Sequence, residues 1–420
     1  MTNVLDELSW RGLVAESTDE AALREHLDSG PVTYYVGFDP SAPSLQVGNL
    51  VQLLVARRLQ DAGHRPLILV GGSTGLIGDP KQAGERVLNE PEVVAGWVEK
   101  VRAQVGRFLD LEGDNAATIV NNLDWTSGLS TIEFLRDIGK HFPVNRMLAR
   151  DVVARRLESG ISYTEFSYVL LQALDYRELF RTYGCTLQFG GSDQWGNITA
   201  GVELVRRAEG ERVHALATPL ITKADGTKLG KTESGTIWLD PSLTSPYALH
   251  QFFLQAEDSK VIDYLKVFTN RTRDEVAELE RLTEAEPYRR HAQRALADDV
   301  VTVVHSAAEA AGAATAAEAL FGRKDLSELD ADTLAGVFAE IGGTALPGGE
   351  LPSVVDALEA SGVVGSKSAA RRTIAEGGAY VNNTKVTDPD ATLTRADLLH
   401  GRYVVLRRGK RTVGGVQVGT

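Results

Sequence analysis

The sequence predicts an α/β chain in three parts: a doubly wound parallel-sheet domain, an all-helical domain, and a small α+β module. Three observations carry this. Over the first 225 residues short apolar runs alternate with helix-period segments, as a parallel sheet covered by helices requires. Helical periodicity then runs almost unbroken to about residue 340. A Gly- and Pro-rich stretch separates that region from about 70 final residues, in which two helical stretches precede short strands. A length of 420 residues fits two or three cores better than one.

In chain order, "TYYVGF", "PLILVGG" and "ATIVNN" read as buried parallel strands. Between them, "LVQLLVARRLQDAG" places Leu50, Leu53 and Leu54 on one helical face. "PEVVAGWVEKVRAQVGRFLD" does the same with Val94, Trp97, Val98, Val101, Val105 and Phe108. These elements make a Rossmann-like domain over residues 1–225. From "TSPYALHQFF" to the Ala-rich "SAAEAAGAATAAEALFG" the pattern is helical, giving a second domain over 226–340 that begins with a lysine-bearing loop. "IGGTALPGGELP", residues 341–352, reads as a flexible linker, and 353–420 as the third domain.

No apolar run is long enough to cross a bilayer, and the first residues lack the basic start and apolar block of a secretory signal. One cysteine, Cys185, excludes an internal disulfide framework and fits a reducing cytosol. The net charge of −13 is unevenly spread. Residues 366–411 hold ten Lys/Arg and four Asp/Glu, a balance of +6, which leaves −19 for the rest. A basic end on an acidic body is the footprint of a polyanion-binding module.

Four loops carry the chemistry. In "DPSAPSLQVGNL" a strand hands over to a helix, with Ser41, Gln46, Gly48 and Asn49 at the handover. Free backbone N–H groups and the helix dipole suit such a place to phosphate. "VGGSTGLIGDP" is a Gly-rich strand exit that carries Asp79, and "GGSDQWGN" is another glycine turn, with Asp193 and Gln194. The fourth, "TKADGTKLGKTESG", is a mobile loop whose Lys228, Lys231 and Thr232 could grip a polyphosphate as charge builds on it. Strand ends of a doubly wound sheet converge on one crevice, so these loops can share a ligand. There is no Walker pattern, no paired-Cys site and no Gly-x-Ser-x-Gly, and His64, His141 and His250 lie at no metal-ligand spacing. No protein-bound metal or organic cofactor is expected.

In this order the four loops resemble those of bacterial tyrosyl-tRNA synthetases, a family of class I aminoacyl-tRNA synthetases. "DPSAPSLQVGNL" is similar to the class's first signature, usually written HIGH, and "KLGKT" to the second, usually written KMSKS. "GISYTEFSYVLLQALDY" and "LQFGGSDQWGNITAG" resemble the family's tyrosine- and adenosine-binding segments, and the likeness covers essentially the whole chain. It implies a homodimer near "HFPVNRML" and "GISYTEF", L-tyrosine, ATP with Mg²⁺, and tRNA(Tyr) as partners, and a cytoplasmic setting without a membrane. It implies that Tyr35 and Asp175 hydrogen-bond the substrate's phenol hydroxyl and that Asp79, Tyr168 and Gln172 hold its ammonium. Gln194 lines the same pocket, and Asp39 faces substrate and nucleotide. Gly191 and Asp193 match the ribose contacts, and Gly37 and Gly48 let the nucleotide lie close to the backbone. The final segment, centred on "GVVGSKSAARRTIAEGGAYVNNTKV", resembles the S-four-type RNA-binding fold, with Lys367, Arg371 and Arg372 placed to meet phosphates. No inserted block is large enough for an editing domain.

The chain departs from the pattern at the first signature. The family has His where Gln46 stands, His or Asn at Asn49, and usually Thr at Ser41. A Gln amide still donates a hydrogen bond but cannot become cationic. The alternative reading is therefore a specialised or catalytically weakened paralogue: an inhibitor-tolerant second copy, or a tyrosine- or RNA-binding protein. Tyr35, Asp79, Asp175, Lys228 and Lys231 weigh against a silent protein, because binding alone has no need of the lysine loop.

Overall fold

The computed structural model describes residues 3–80, 84–232, 235–320, 324–346, 350–409 and 412–419. The chain divides into two compact units, one of residues 1–240 and 262–276, the other of 241–261 and 277–420. The boundary expected at 225/226 therefore moves. The lysine loop and the segment 262–276 belong with the first unit, not with the helical region.

The first unit is built on strands β1 (Glu16–Ser17), β2 (Thr33–Phe38), β3 (Arg65–Val70), β4 (Thr118–Asn121), β5 (Leu187–Gly191) and β6 (His214–Thr218). Their order is β1-β6-β5-β2-β3-β4, with only the β1–β6 pair antiparallel. The chain works outward from β2 through β3 to β4, then returns to the other side of β2 with β5 and β6. The order thus reverses between β2 and β5. Every residue of β5 and β6 is buried, because helices cover both faces of the sheet. Helix Val47–Asp61 buries Leu50, Leu53 and Leu54 as its periodicity predicts. Helix Pro91–Val105 buries Val94, Val98, Val101 and Val105 but leaves Trp97 half-covered, and it stops before Phe108. Helix Tyr163–Tyr183 starts at Ser162, whose side chain accepts from Glu165 N–H, and ends on left-handed Gly184. Beyond the main sheet, β7 (Lys231–Thr232) and β8 (Gly235–Thr236) pair antiparallel.

In the second unit, helices His291–Val304, Ala307–Leu320 and Ala331–Glu340 precede a five-stranded sheet. Its strands are β9 (Thr344–Leu346), β10 (Ala379–Val381), β11 (Thr384–Lys385), β12 (Tyr403–Arg408) and β13 (Thr412–Val418), in the order β11-β10-β12-β13-β9. The expected linker at 341–352 needs correction here. Thr344, Ala345 and Leu346 form an edge strand parallel to β13, and residues 347–349 lie outside the described residues. Apolar alternation over three residues is too short to outweigh four glycines and two prolines in a sequence reading. The helices also share a core with the sheet, in which Ala313, Leu334 and Phe338 pack with Tyr403 and Val405.

Candidate active site

The cleft follows from how two strands part. β2 pairs with β3 along all six of its residues but with β5 only through Tyr34↔Leu187 and Tyr35↔Gln188. Beyond that point β2 and β5 diverge, and a cavity of about 410 Å³ lies between their carboxyl ends, where the strand order reverses. Tyr35, Gly37, Asp39, Ser41, Gln46, Gly48, Asn49, Asp79, Tyr168, Gln172, Asp175, Gly191, Asp193, Gln194, Lys228 and Lys231 all line it. The side chain of Thr232 lies outside the described residues.

The floor is a connected polar network. Thr74 Oγ1 donates to Asp39 Oδ1 (2.6 Å) and the Tyr168 hydroxyl to Asp39 Oδ2 (2.7 Å). Asn122 Nδ2 donates to Thr74 Oγ1 (3.0 Å) and to Asp175 Oδ2 (3.0 Å), and Trp125 Nε1 donates to Asp175 Oδ1 (2.9 Å). Burial pushes the Asp175 carboxyl up to about 8, against the pull of Asn122 and Trp125. Asp39 is raised by the same cause, opposed by Thr74 and Tyr168. Asp79 is raised by burial too, although Gln194 Nε2 (2.9 Å) and Asn197 Nδ2 (3.2 Å) donate to it. Three buried carboxyl groups held up in this way are arranged to receive a donor or a cation. The Tyr35 hydroxyl and Gln172 Oε1 are buried and have no hydrogen-bond partner among the described residues.

At the mouth, Gln46 is the N-cap of helix Val47–Asp61, and its N–H donates to Asn49 Oδ1 (3.0 Å). A Cβ on Gly48 would meet nothing within 4 Å, so the helix start offers bare backbone to a ligand. The described part of the lysine segment carries local pairing. Thr222 bridges Lys228, and Asp225 Oδ1 accepts from both the N–H (2.8 Å) and the hydroxyl (2.6 Å) of Thr227. Lys228 Nζ stands 3.1 Å from Asp193 Oδ2, both side chains being about half exposed.

Residues that the motifs did not single out complete the site. Thr74, Asn122, Trp125 and Asn197 orient the carboxylates, and Gln52, Arg86 and Gln188 line the cavity. Thr74, Asn122 and Asn197 lie inside segments that the sequence marks, but no spacing or periodicity there points to these residues themselves. In the second unit, Lys367, Arg371 and Arg372 lie on helix Lys367–Ala375, exposed, with Lys367 paired to Asp356 (2.7 Å) and Arg371 to Asp390 (3.0 Å). Lys410 and Arg411 lie outside the described residues.

Comparison with known proteins gives consistent results. Residues 27–322 match the family model for class I tRNA synthetases (W and Y), and residues 334–413 match the SYY-like C-terminal domain of tyrosine–tRNA ligases. A tyrosine–tRNA ligase of Cutibacterium acnes is 62% identical over 416 residues, covering 99% of this chain and 100% of its own length. One from Kineococcus radiotolerans is 62% identical over 419 residues, covering 100% of this chain and 99% of its own. Among solved structures, a C-terminally truncated mitochondrial tyrosyl-tRNA synthetase of Aspergillus nidulans superposes with a TM-score of 0.69 at 30% identity, over 76% of this chain and 95% of that one.

Proposed function

The chain belongs to the class I tRNA synthetases of the tryptophan and tyrosine group, and we infer that it activates L-tyrosine with ATP and transfers it to tRNA(Tyr). The carrying observation is that the Asp175 carboxyl and the buried Tyr35 hydroxyl, which has no hydrogen-bond partner among the described residues, both line the cavity. A phenol hydroxyl can donate to Asp175 and accept from Tyr35. Phenylalanine would leave the buried Tyr35 hydroxyl unpaired, at about 1–3 kcal/mol, and would bring no donor to Asp175. The alternative of a silent or specialised paralogue is not favoured, since relatives at about 60% identity over the full length are tyrosine–tRNA ligases.

The reaction begins with the tyrosine carboxylate attacking the α-phosphate of ATP, which forms tyrosyl-adenylate and expels pyrophosphate. The 3′-terminal ribose of the tRNA then takes the tyrosyl group and releases AMP. No covalent enzyme intermediate is required, so positioning and charge stabilisation carry the rate. Asp79, Tyr168 and Gln172 hold the ammonium, with Gln194 closing that side and Asp39 facing the junction with the nucleotide. Asp79 already accepts from Gln194 and Asn197, and an ionised carboxylate retains lone pairs for an ammonium. Gly191 and Asp193 contact the ribose, while Gly37 and Gly48 leave room for the nucleotide. For this the Lys228–Asp193 pair opens, which an exposed pair does at about 0–1 kcal/mol. Ser41, Gln46, Asn49, Lys228, Lys231 and Thr232 then steady the departing pyrophosphate. The oxygens of Asp39 and Asp79 are already engaged by donors, so Mg²⁺ fits best as an ion carried on the ATP phosphates.

Lys367, Arg371 and Arg372 serve tRNA, supported by the basic balance of residues 366–411. The exposed Val144 and Leu148, chain neighbours of Pro143 and Met147, which line a small cavity with Phe142, and the exposed Tyr163 support a homodimer; a monomer mass by sedimentation would dispose of it. Among the described residues no helix is long and apolar enough to cross a membrane, and a cytosolic setting agrees with the single buried Cys185.

The deciding experiment is tyrosine-dependent ATP–pyrophosphate exchange by this protein and by Gln46→His. Gln46 keeps a donor at the cavity wall, so we expect exchange from both, the His variant faster by at most about tenfold. Losing a transition-state donor outright costs about 2.7–4 kcal/mol, and an exchanged donor should cost less. Silence from the native protein with activity restored by His would defeat the reading.

A further inference from the structure

Beneath the lysine hairpin, the segment 262–276 packs into the first unit through an uncommon set of polar contacts. Arg11 Nη1 donates to Lys266 O (2.7 Å) and Thr269 O (2.9 Å), and its Nη2 to Arg271 O (2.9 Å). Arg58 Nη2 donates to Val267 O (3.0 Å) and Thr269 O (2.9 Å). Both arginines are buried. Their targets are the carbonyls at and just past the C-terminal end of helix Val261–Phe268, groups without intrahelical partners that favour a cation. Two guanidinium groups thus fix this helix end in place.

From that helix Tyr264, 4% exposed, donates its hydroxyl to Thr222 O (2.9 Å). Thr222 is where the lysine hairpin closes. It bridges Lys228, and the next pair, Leu229 N–H to Ile221 O, is 2.9 Å. Phe268 lines a small cavity of about 70 Å³ with Val47, Gly48, Ile221 and Leu229. The hairpin's other shoulder is tied to the signature helix by Val47 N–H to Ile237 O (3.1 Å) and Ile237 N–H to Gly230 O (3.0 Å). Lys228 and Lys231 therefore stand between two attachments. One is backbone pairing, and the other includes a single hydroxyl.

We propose that Tyr264 is a positioning residue for tyrosine activation, its hydroxyl fixing the base of the lysine hairpin so that Lys228 and Lys231 meet the departing pyrophosphate. This rests on the activation reading above. Tyr264 does not line the substrate cavity, so its effect falls on adenylate formation and not on tyrosine binding. Tyr264→Phe retains the ring and its edge contact with Phe268 (centroids 6.2 Å) and removes only the hydroxyl.

The test measures kcat of tyrosine-dependent ATP–pyrophosphate exchange, the tyrosine Kd without ATP, and the thermal midpoint. We expect kcat to fall about three- to tenfold, as the loss of one hydrogen bond allows, with Kd within about twofold and the midpoint lowered by no more than a few degrees. In a Lys228→Ala background Tyr264→Phe should have little further effect, since residues acting as one unit are not additive. An unchanged kcat, a Kd that weakens in step with kcat, or effects that multiply in the double variant would each overturn the proposal. A native protein that exchanges while Tyr264→Phe matches it overturns the positioning role alone. A silent native protein overturns the activation reading, and the positioning role with it.

Discussion

Asp175 is a buried carboxyl whose two oxygens each accept a hydrogen bond, yet burial still holds it near 8. Its folded-state value lies above the unfolded one of about 3.9. The stability linked to it is therefore complete below roughly pH 4 and is lost as pH rises through about 8. Tyrosine binding has the opposite sign, because a phenol that donates to Asp175 prefers the ionised group. We expect the tyrosine Kd to tighten several-fold between roughly pH 6.5 and 8 and then level off. Trp125, bonded to Asp175 through Nε1, makes intrinsic fluorescence a direct readout. A flat profile would show that Asp175 stays ionised throughout. Such residues line one cavity, and they were singled out in the sequence by the family resemblance. Their supports were not. Thr74 sits in a Gly-rich loop with no periodicity, and nothing in its neighbours reveals that its hydroxyl lies 2.6 Å from Asp39.

At the scale of elements, the glycines of two loops divide by what surrounds them. A Cβ on Gly71 would fall 2.2 Å from both Asp39 Oδ1 and Thr74 Oγ1. The strand exit thus passes under the carboxylate network with no room for a methyl group. Over Gly48 there is open space. Gly71→Ala should lower unfolding free energy by about 1–3 kcal/mol, as overpacking does, and cut exchange at least about tenfold. Gly48→Ala should leave stability within about 0.5 kcal/mol of the native protein, as substitutions away from special features do, while raising the KM for ATP. Denaturant titration and exchange kinetics on the two variants check both; an ATP KM unmoved in Gly48→Ala would remove the nucleotide from that helix start. The pattern of strand and helix was read correctly where apolar runs were long, as in β2, β3 and β4. β5 and β6 carry weak strand signals, because "LQFGG" ends in a glycine turn and "HALAT" is mostly small residues.

At the scale of the whole molecule, the sequence separates a helical domain from a basic module, whereas the second unit packs the two as one body. Composition misleads here because glycine and proline report turn geometry, not the pairing a short strand finds far along the chain. β9 borrows its partner from β13, the Phe338 ring lies 4.7 Å from that of Tyr403, and a Cβ on Gly415 would meet Phe338 at 2.4 Å. Removing residues 353–420 would therefore strip Tyr403 and Val405 from a core that Leu334, Val337 and Phe338 share, so a truncated chain confounds lost RNA contacts with an opened core. The clean test is by charge. Lys367, Arg371 and Arg372 are exposed, and the pairs of Lys367 with Asp356 and Arg371 with Asp390 are the kind an RNA phosphate displaces at about 0–1 kcal/mol. Replacing all three with Ala should leave the thermal midpoint and pyrophosphate exchange unchanged. It should weaken tRNA binding and reduce the slope of log affinity against log salt by about two to three, roughly one for each lost phosphate contact. A slope equal to that of the native protein would take these three residues out of the tRNA interface, and the basic balance of the segment would then reside in its other cations.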